Sequence, residues 1–352
     1  MTTLLAECGD IDVARHGDGL GRDVEMDLST CVNRYGPAPA AVSALRRIPP
    51  ATIVLHPHDA AERMVDLYRW ATDVRYGTMI AGRGVGEFIW AMAREVEHHL
   101  VRIPVPTRPD YLRAFPGCGF TFAAERVSPI ERLDAALDGG RVVIVSNPHA
   151  PTGGHWHPDD LVAVAASRPE SILVVDESYV DFMPHPSSSS VIGCDVPNIV
   201  VLQSTTAFYG IAATRTGIAW CADAEVLSWL FGRREDPGLS GVDVHASCAA
   251  VRDTRWADNV RRQMLDDSAW LAEILGGIDG FEVHANANVH FQYGSGDRAT
   301  EVADALAHWG IAVRVLGDAH GMPSDALRIA APRVDERRRF AAAIRELSEA
   351  GA

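Results

Sequence analysis

Residues 142–153 read Val-Val-Ile-Val-Ser-Asn-Pro-His-Ala-Pro-Thr-Gly, and residues 172–182 read Ile-Leu-Val-Val-Asp-Glu-Ser-Tyr-Val-Asp-Phe. Each stretch opens on an unbroken, largely β-branched run and ends in turn formers or a carboxylate. A short continuous apolar run bounded this way suits a strand buried on both faces, the pattern of a parallel sheet. Residues 101–105 and 199–202 repeat the pattern, and helical periodicity occupies 60–71 and 87–100. Strands alternating with helices imply βαβ units, hence an α/β three-layer sandwich with a mostly parallel central sheet. Beyond about residue 236 the character changes. A long polar helix over 251–275 precedes two expected antiparallel strands, FEVHAN (281–286) and VHFQYG (289–294). A helix over 300–309, strands over 312–315 and 327–330 and a final helix over 335–348 complete a smaller α+β domain. The expected division is an N-terminal arm (1–44) joining the small domain, a large domain (45–235) and a small C-terminal domain (236–352). PHPSSSS at 184–190 reads as a surface loop.

The 352-residue chain is 47% hydrophobic and 22% charged, which is ordinary globular composition with length for about two domains. A formal net charge of −15 argues against a nucleic acid or an anionic membrane surface as partner. All 32 basic residues are arginine. Ordinary usage would put on the order of twenty lysines in such a chain. The bias reads as codon composition, with one chemical consequence: no side chain here can form a Schiff base with an aldehyde. Cys8, Cys31, Cys118, Cys194, Cys221 and Cys248 are scattered without CxxC spacing, which suits a reduced, cytoplasmic protein. Residues 1–15 carry acidic groups and no sustained apolar run, so no secretory signal is expected, and no stretch approaches the ~18–20 apolar residues of a membrane span.

Four elements carry chemistry. Gly82-Arg83-Gly84-Val85-Gly86-Glu87 directly precedes a helix, and uncovered N–H groups at a helix N-terminus form an anion site. The competing reading is a tight turn. Asn147-Pro148-His149-Ala150-Pro151-Thr152-Gly153 is a loop at the carboxyl end of a strand, where α/β folds place ligands. Asp176 emerges from a buried strand, where a carboxylate is costly without a cation, unless it caps a helix. Ser204-Thr205-Thr206-Ala207-Phe208-Tyr209-Gly210 and then Arg215 offer hydroxyls and a guanidinium that suit a phosphate. His155-Trp156-His157 and His98-His99 lack the carboxylate or Cys spacing of a metal site, so none is expected. Gly82-x-Gly84-x-Gly86 is not G-x-G-x-x-G, which disfavours a dinucleotide site. Arg337-Arg338-Arg339 reads as the solvated face of the last helix.

In this order the elements resemble those of the fold-type I pyridoxal 5'-phosphate (PLP) enzymes of the aminotransferase class I and II family. The branch is that of histidinol-phosphate aminotransferase and threonine-phosphate decarboxylase. Supporting residues run from about Leu28 to the C-terminus, including Asn33-Arg34-Tyr35-Gly36-Pro37, Pro106-Thr107 with Tyr111, DESYVDF, 310–314 and Leu327-Arg328-Ile329. The resemblance implies a homodimer with sites at the interface and an amino-acid substrate processed through a Cα carbanion. It implies that N–H groups of Gly84, Val85 and Gly86, with Ser204, Thr206 and Arg215, hold the cofactor phosphate. Asp176 would pair with the protonated pyridine nitrogen and Tyr179 with the ring hydroxyl. Arg328 would fork onto the substrate carboxylate, with Asn33 and Gly36 in the same substrate region.

Several positions depart from that pattern. Ala207 stands where the family carries its Schiff-base lysine, in two registers: directly before Phe208-Tyr209 and eight residues before Arg215. A Lys→Ala inactive variant is favoured because Asp176, Tyr179, Arg215 and Arg328 remain; natural loss, giving a non-catalytic PLP or amino-acid binder, is the alternative. Ala150 replaces the family's Asn before Pro-Thr-Gly. Arg108 takes the place of a ring-stacking aromatic, and is expected either to stack through its guanidinium plane or to meet an anionic substrate. His56 replaces a Tyr that reaches across the dimer to the partner's cofactor phosphate. His149 is a candidate to supply the missing stacking or hydrogen-bonding group. Together these favour, beside transamination or decarboxylation, a specialised reaction: β/γ-elimination or carbon–carbon bond formation, with S-adenosylmethionine among the candidate substrates.

Overall fold

The computed structural model describes residues 24–121, 130–234, 238–317 and 326–350. The centre is a seven-stranded sheet in the spatial order Thr78–Gly82, Gly217–Cys221, Ile199–Ser204, Ile172–Asp176, Val142–Ser146, Val101–Val105, Gly119–Thr121. Gly217–Cys221 runs antiparallel to both its neighbours, and every other pairing is parallel. Helices cover both faces. Val142–Ser146 and Ile199–Ser204 are buried along their whole length, which is why they read as unbroken apolar runs rather than alternations. Two buried clusters flank the sheet. One contains Phe88, Ile89, Met92 and Phe115 from the helices Val85–Glu95 and Pro109–Ala114 and their surroundings, and the other runs through Leu161, Leu173, Val201 and Trp220 into the small domain.

The small domain has a four-stranded antiparallel sheet in the order Arg314–Leu316, Ala326–Ala330, Phe291–Ser295, Glu282–Val283. The N-terminal strand Met26–Asp27 pairs in parallel with Ile311–Ala312, which ties the arm to this part of the molecule. The expected long helix over 251–275 is present as Thr254–Leu275, and a helix that was not expected, Gly241–Val251, precedes it. Asp253 separates the two, because its side chain accepts the Trp256 N–H and caps the second. The expected helix over 87–100 ends at Glu95, and His98–Leu100 is a separate 3-10 turn. Pro186–Ser189, read as loop, forms one short helical turn with Pro at its start. The expected boundary at 235–236 lies outside the described residues, as does Cys8. Among the described residues, Cys31, Cys118, Cys194, Cys221 and Cys248 are all free thiols.

His290 is buried where the two domains meet, stacked on Phe182 with centroids 3.8 Å apart. Neither ring nitrogen makes a well-formed hydrogen bond; the Cys31 backbone offers a weak one. Burial pushes its pKa down from 6.5 to about 3, and burial also pushes His149 to about 4. Both are neutral in the fold, while the unfolded chain takes up protons near pH 6.5. Their contribution is therefore complete above that value and is lost as pH falls toward 4 and 3. Glu177 and Asp181 act oppositely, since burial raises them to about 7 and about 6; their contribution is present in acid and lost as pH rises through those values. Replacing His290→Phe keeps the stack and removes one titration. Relative to the parent, the variant should gain about 2 kcal/mol between pH 8 and pH 5, from 1.36 kcal/mol per pKa unit. Urea titrations at both pH values measure this, and parallel pH curves for the two proteins would refute it.

Candidate active site

The strand Thr78–Gly82 turns into the helix Val85–Glu95 at Gly84, whose φ of +76° is in the left-handed region that glycine adopts freely. A Cβ at Gly84 would lie 3.4 Å from Arg215 Nη2, so the free N–H groups of the helix start and the guanidinium face one space. Ser204 ends its strand there. Its hydroxyl donates to the Thr216 carbonyl (3.0 Å) and lies 3.0 Å from the Thr206 hydroxyl. The carboxylate that Arg215 meets among the described residues, Asp243, is reached through the backbone N–H at 3.1 Å rather than through the guanidinium.

Val85, Gly86, Ser204, Thr206 and Arg215 line a cavity of about 340 Å³ whose walls also include Ala207, Arg108, Tyr179 and Arg328. Nine of the residues singled out from sequence thus converge on one space. Ala207 presents its methyl group to it. The backbone there is pinned: the Ala207 carbonyl accepts from the N–H of Asn33 (2.9 Å) and of Gly210 (3.3 Å). Tyr179 is buried against Phe182 and Phe291, and burial together with the neighbouring Cys31 pushes its phenol well above the usual range. Arg328 donates to the Ser29 carbonyl at 2.7 Å, and its Nε is buried without an acceptor among the described residues.

Asp176 is fully buried and does not line this cavity, but Arg108 and Ser178, which do, bond its carboxylate. The neighbouring Glu177 points to the opposite side of the chain, as alternation along a strand dictates. There it is bound by Gln203 Nε2 (2.8 Å), the Val191 N–H (2.8 Å) and the Ser190 hydroxyl. Arg108 lines the cavity and turns its guanidinium to two carboxylates. Its Nη1 lies 3.1 Å from Asp176 Oδ2 and its Nη2 3.4 Å from Asp110 Oδ2, since the buried Asp176 and the half-buried Asp110 attract a guanidinium.

Five other expectations are placed elsewhere. Asn33 lies outside the cavity wall and spends its amide internally: Nδ2 donates to the Phe208 carbonyl (2.8 Å) and Oδ1 accepts from the Tyr35 N–H (2.9 Å). Gly36 supports the same loop, since a Cβ on Gly210 would be 2.3 Å from the Gly36 carbonyl oxygen. Both support the 207–210 backbone. Ala150 is buried in a side crevice shared with Arg108, Arg314 and Arg328. His149 bonds Thr152 Oγ1 at 2.7 Å and meets Trp156 edge-on, away from the cavity. His56 is exposed and lines none of the cavities described here. Sequence reasoning missed Ser178 and Cys31 as wall residues and Tyr111 as a partner of Asp176; only the aromatic at 111, noted within the Pro106-Thr107 motif, left a trace.

A second cavity, of about 380 Å³, is lined by Tyr68, Asp181, Tyr209 and Arg261 among others and shares no residue with the first. Its size alone assigns it nothing, whereas the first gathers the anion-binding groups. Among the described residues no cluster of three metal-ligating side chains occurs, and no helix is long and apolar enough to cross a membrane.

Residues 23–344 match the model of the family Aminotransferase class I and II. The histidinol-phosphate aminotransferase of Symbiobacterium thermophilum is 27% identical over 340 residues, covering 93% of this chain and 91% of that protein. The structure of the histidinol-phosphate aminotransferase of Sinorhizobium meliloti in complex with pyridoxal-5'-phosphate superposes with a TM-score of 0.80 at 20% identity, covering 94% of this chain and 92% of that one. That of the L-threonine-O-3-phosphate decarboxylase of Porphyromonas gingivalis gives 0.77 at 17% identity, covering 92% and 99%. At such identities the superpositions speak for the fold.

Proposed function

The chain belongs to the aminotransferase class I and II family, whose members depend on PLP, and we propose that it holds PLP reversibly in the 340 Å³ cavity as an aminotransferase-like protein impaired in turnover. The observation that carries this is the concentration of cationic and N–H groups in one cavity of a chain with net charge −15. Arg215 faces the start of the helix Val85–Glu95 with Ser204 and Thr206 beside it, a donor set that fits a phosphate monoester. Arg328, with its Nε still lacking an acceptor, suits an amino-acid carboxylate, and the Tyr179 phenol keeps its proton for a ring hydroxyl. When bound, PLP supplies an electron-withdrawing ring for chemistry at the Cα of an amino acid. Ala207 contributes neither the amine for covalent attachment nor a base near Cα, so the remaining residues bind and orient but move no proton there. Ala207 also favours a second reading, a non-catalytic PLP or amino-acid binder.

The same proposal includes a homodimer. Ile53, Val54 and Leu55 are 65%, 78% and 66% exposed in one chain, a consecutive apolar run that a second copy would cover. The run leads directly into His56, whose proposed place is the partner's phosphate cup. Sedimentation with PLP, followed at the cofactor's absorbance, tests both parts together. The absorbance should travel with a particle of twice the 38.0 kDa chain mass, and inorganic phosphate should displace it. Cofactor left unsedimented would overturn the binding proposal, and cofactor travelling at the mass of one chain would overturn the dimer.

A further inference from the structure

A carboxylate offers about four lone-pair sites, and in Asp176 four donors occupy them. The Ser178 N–H (2.8 Å) and the Ser178 hydroxyl bond Oδ1, while the Tyr111 hydroxyl and Arg108 Nη1 (3.1 Å) bond Oδ2. The ion pair is enclosed, with side-chain exposures of 17% for Arg108 and none for Asp176. Burial works against the charge of Arg108, but the Asp176 and Asp110 carboxylates beside it offset this and keep it protonated. Burial and the Asp176 charge likewise keep Tyr111 a neutral donor. The charge of Asp176 is therefore balanced, and its hydrogen-bonding capacity filled, by the protein itself.

Resting on the PLP reading above, we infer that Arg108 occupies at Asp176 the place of a ligand cation, so that this cavity binds a phosphate-bearing pyridine with its ring nitrogen unprotonated. A protonated ring nitrogen needs a free acceptor and repels a guanidinium in the same place. An unprotonated nitrogen needs neither. Ala150 belongs to the same change, since its small side chain and Arg108 wall one crevice. A single substitution at position 207 would have left the groups around Asp176 in the family's arrangement. Here the two poles of the site differ together, the attachment point at Ala207 and the acceptor at Asp176, while the phosphate cup is retained. An unprotonated ring withdraws electrons weakly, which suits a site that holds its ligand rather than one that stabilises a carbanion.

The test compares PLP with its analogue carrying CH in place of the ring nitrogen, by equilibrium dialysis on this chain and on Arg108→Phe. This chain should bind the two within about threefold. Arg108→Phe frees an acceptor on Asp176 and should favour PLP by about tenfold or more, as a charge-assisted hydrogen bond does. Because that variant loses an ion pair and can fold poorly, nitrogen-15 NMR of ring-labelled PLP on the unmodified chain provides a second readout, with an unprotonated nitrogen expected. A protonated nitrogen, or a tenfold preference of the unmodified chain for PLP, overturns the inference and leaves the PLP reading standing. If neither compound binds, the PLP reading fails and the inference with it.

Discussion

Ala207→Lys should convert reversible PLP binding into covalent retention. The backbone at 207 is held by Asn33 and Gly210, so the new side chain starts from a defined point and extends into a cavity of about 340 Å³. Arg108, Arg215 and Arg328 line that cavity, and nearby cations lower an amine's pKa, which raises its nucleophilic fraction. The unmodified chain should lose PLP on gel filtration. The variant should stay yellow, and after borohydride reduction its mass should rise by one phosphopyridoxyl group per chain. An affinity gain of about 100-fold or more, or about 2.7 kcal/mol, is expected. Reduction that adds no mass would mean that the cup around Gly84 and Arg215 does not present PLP to position 207, and the functional assignment would fall.

Asp176→Ala should destabilise the ligand-free protein by about 3 kcal/mol. Removing one partner of a buried ion pair costs about 3–5 kcal/mol, because the remaining charge is left uncompensated. The low end applies because Asp110 stays within 3.4 Å of Arg108. The expectation separates two roles. A carboxylate kept in reserve for a ligand would be a buried, unpaired charge, and its removal would leave ligand-free stability unchanged or higher. The urea midpoint, with PLP removed, is the measurement. An unchanged midpoint would show that the Arg108 pair contributes little and that Asp176 is available to ligand after all.

Much of the architecture was legible in sequence because the strands that matter are buried on both faces. Val142–Ser146 and Ile199–Ser204 could be read as core from composition alone. Thr78–Gly82 and Gly217–Cys221 could not. Each is short and flanked by or ends in glycine, and their antiparallel pairing depends on a partner more than a hundred residues away. The start of the helix Thr254–Leu275 turned on a single cap at Asp253, below the resolution of periodicity. At the site, the candidate anion-binding groups were legible from their order along the chain, since glycines before a helix taken alone read equally well as a tight turn. For Asn33 and Gly36 sequence shows that a polar or flexible residue is present, not which way its hydrogen bonds run, and only the fold shows that both support the 207–210 backbone.

The sequence by itself determined the alternation of helix and strand, the family resemblance and the absence of any lysine from the chain, and it nominated the residues proposed to hold a phosphate. Those follow from residue type and order along one chain. Only the tertiary structure decided how the charges are spent. Arg108 and Asp176 are 68 residues apart, and nothing local distinguishes an arginine that stacks on a ligand from one that neutralises a buried carboxylate. The fold brings Arg108 within 3.1 Å of Asp176 in a buried place, where an unpaired charge is too costly to leave, and that cost selects the partner.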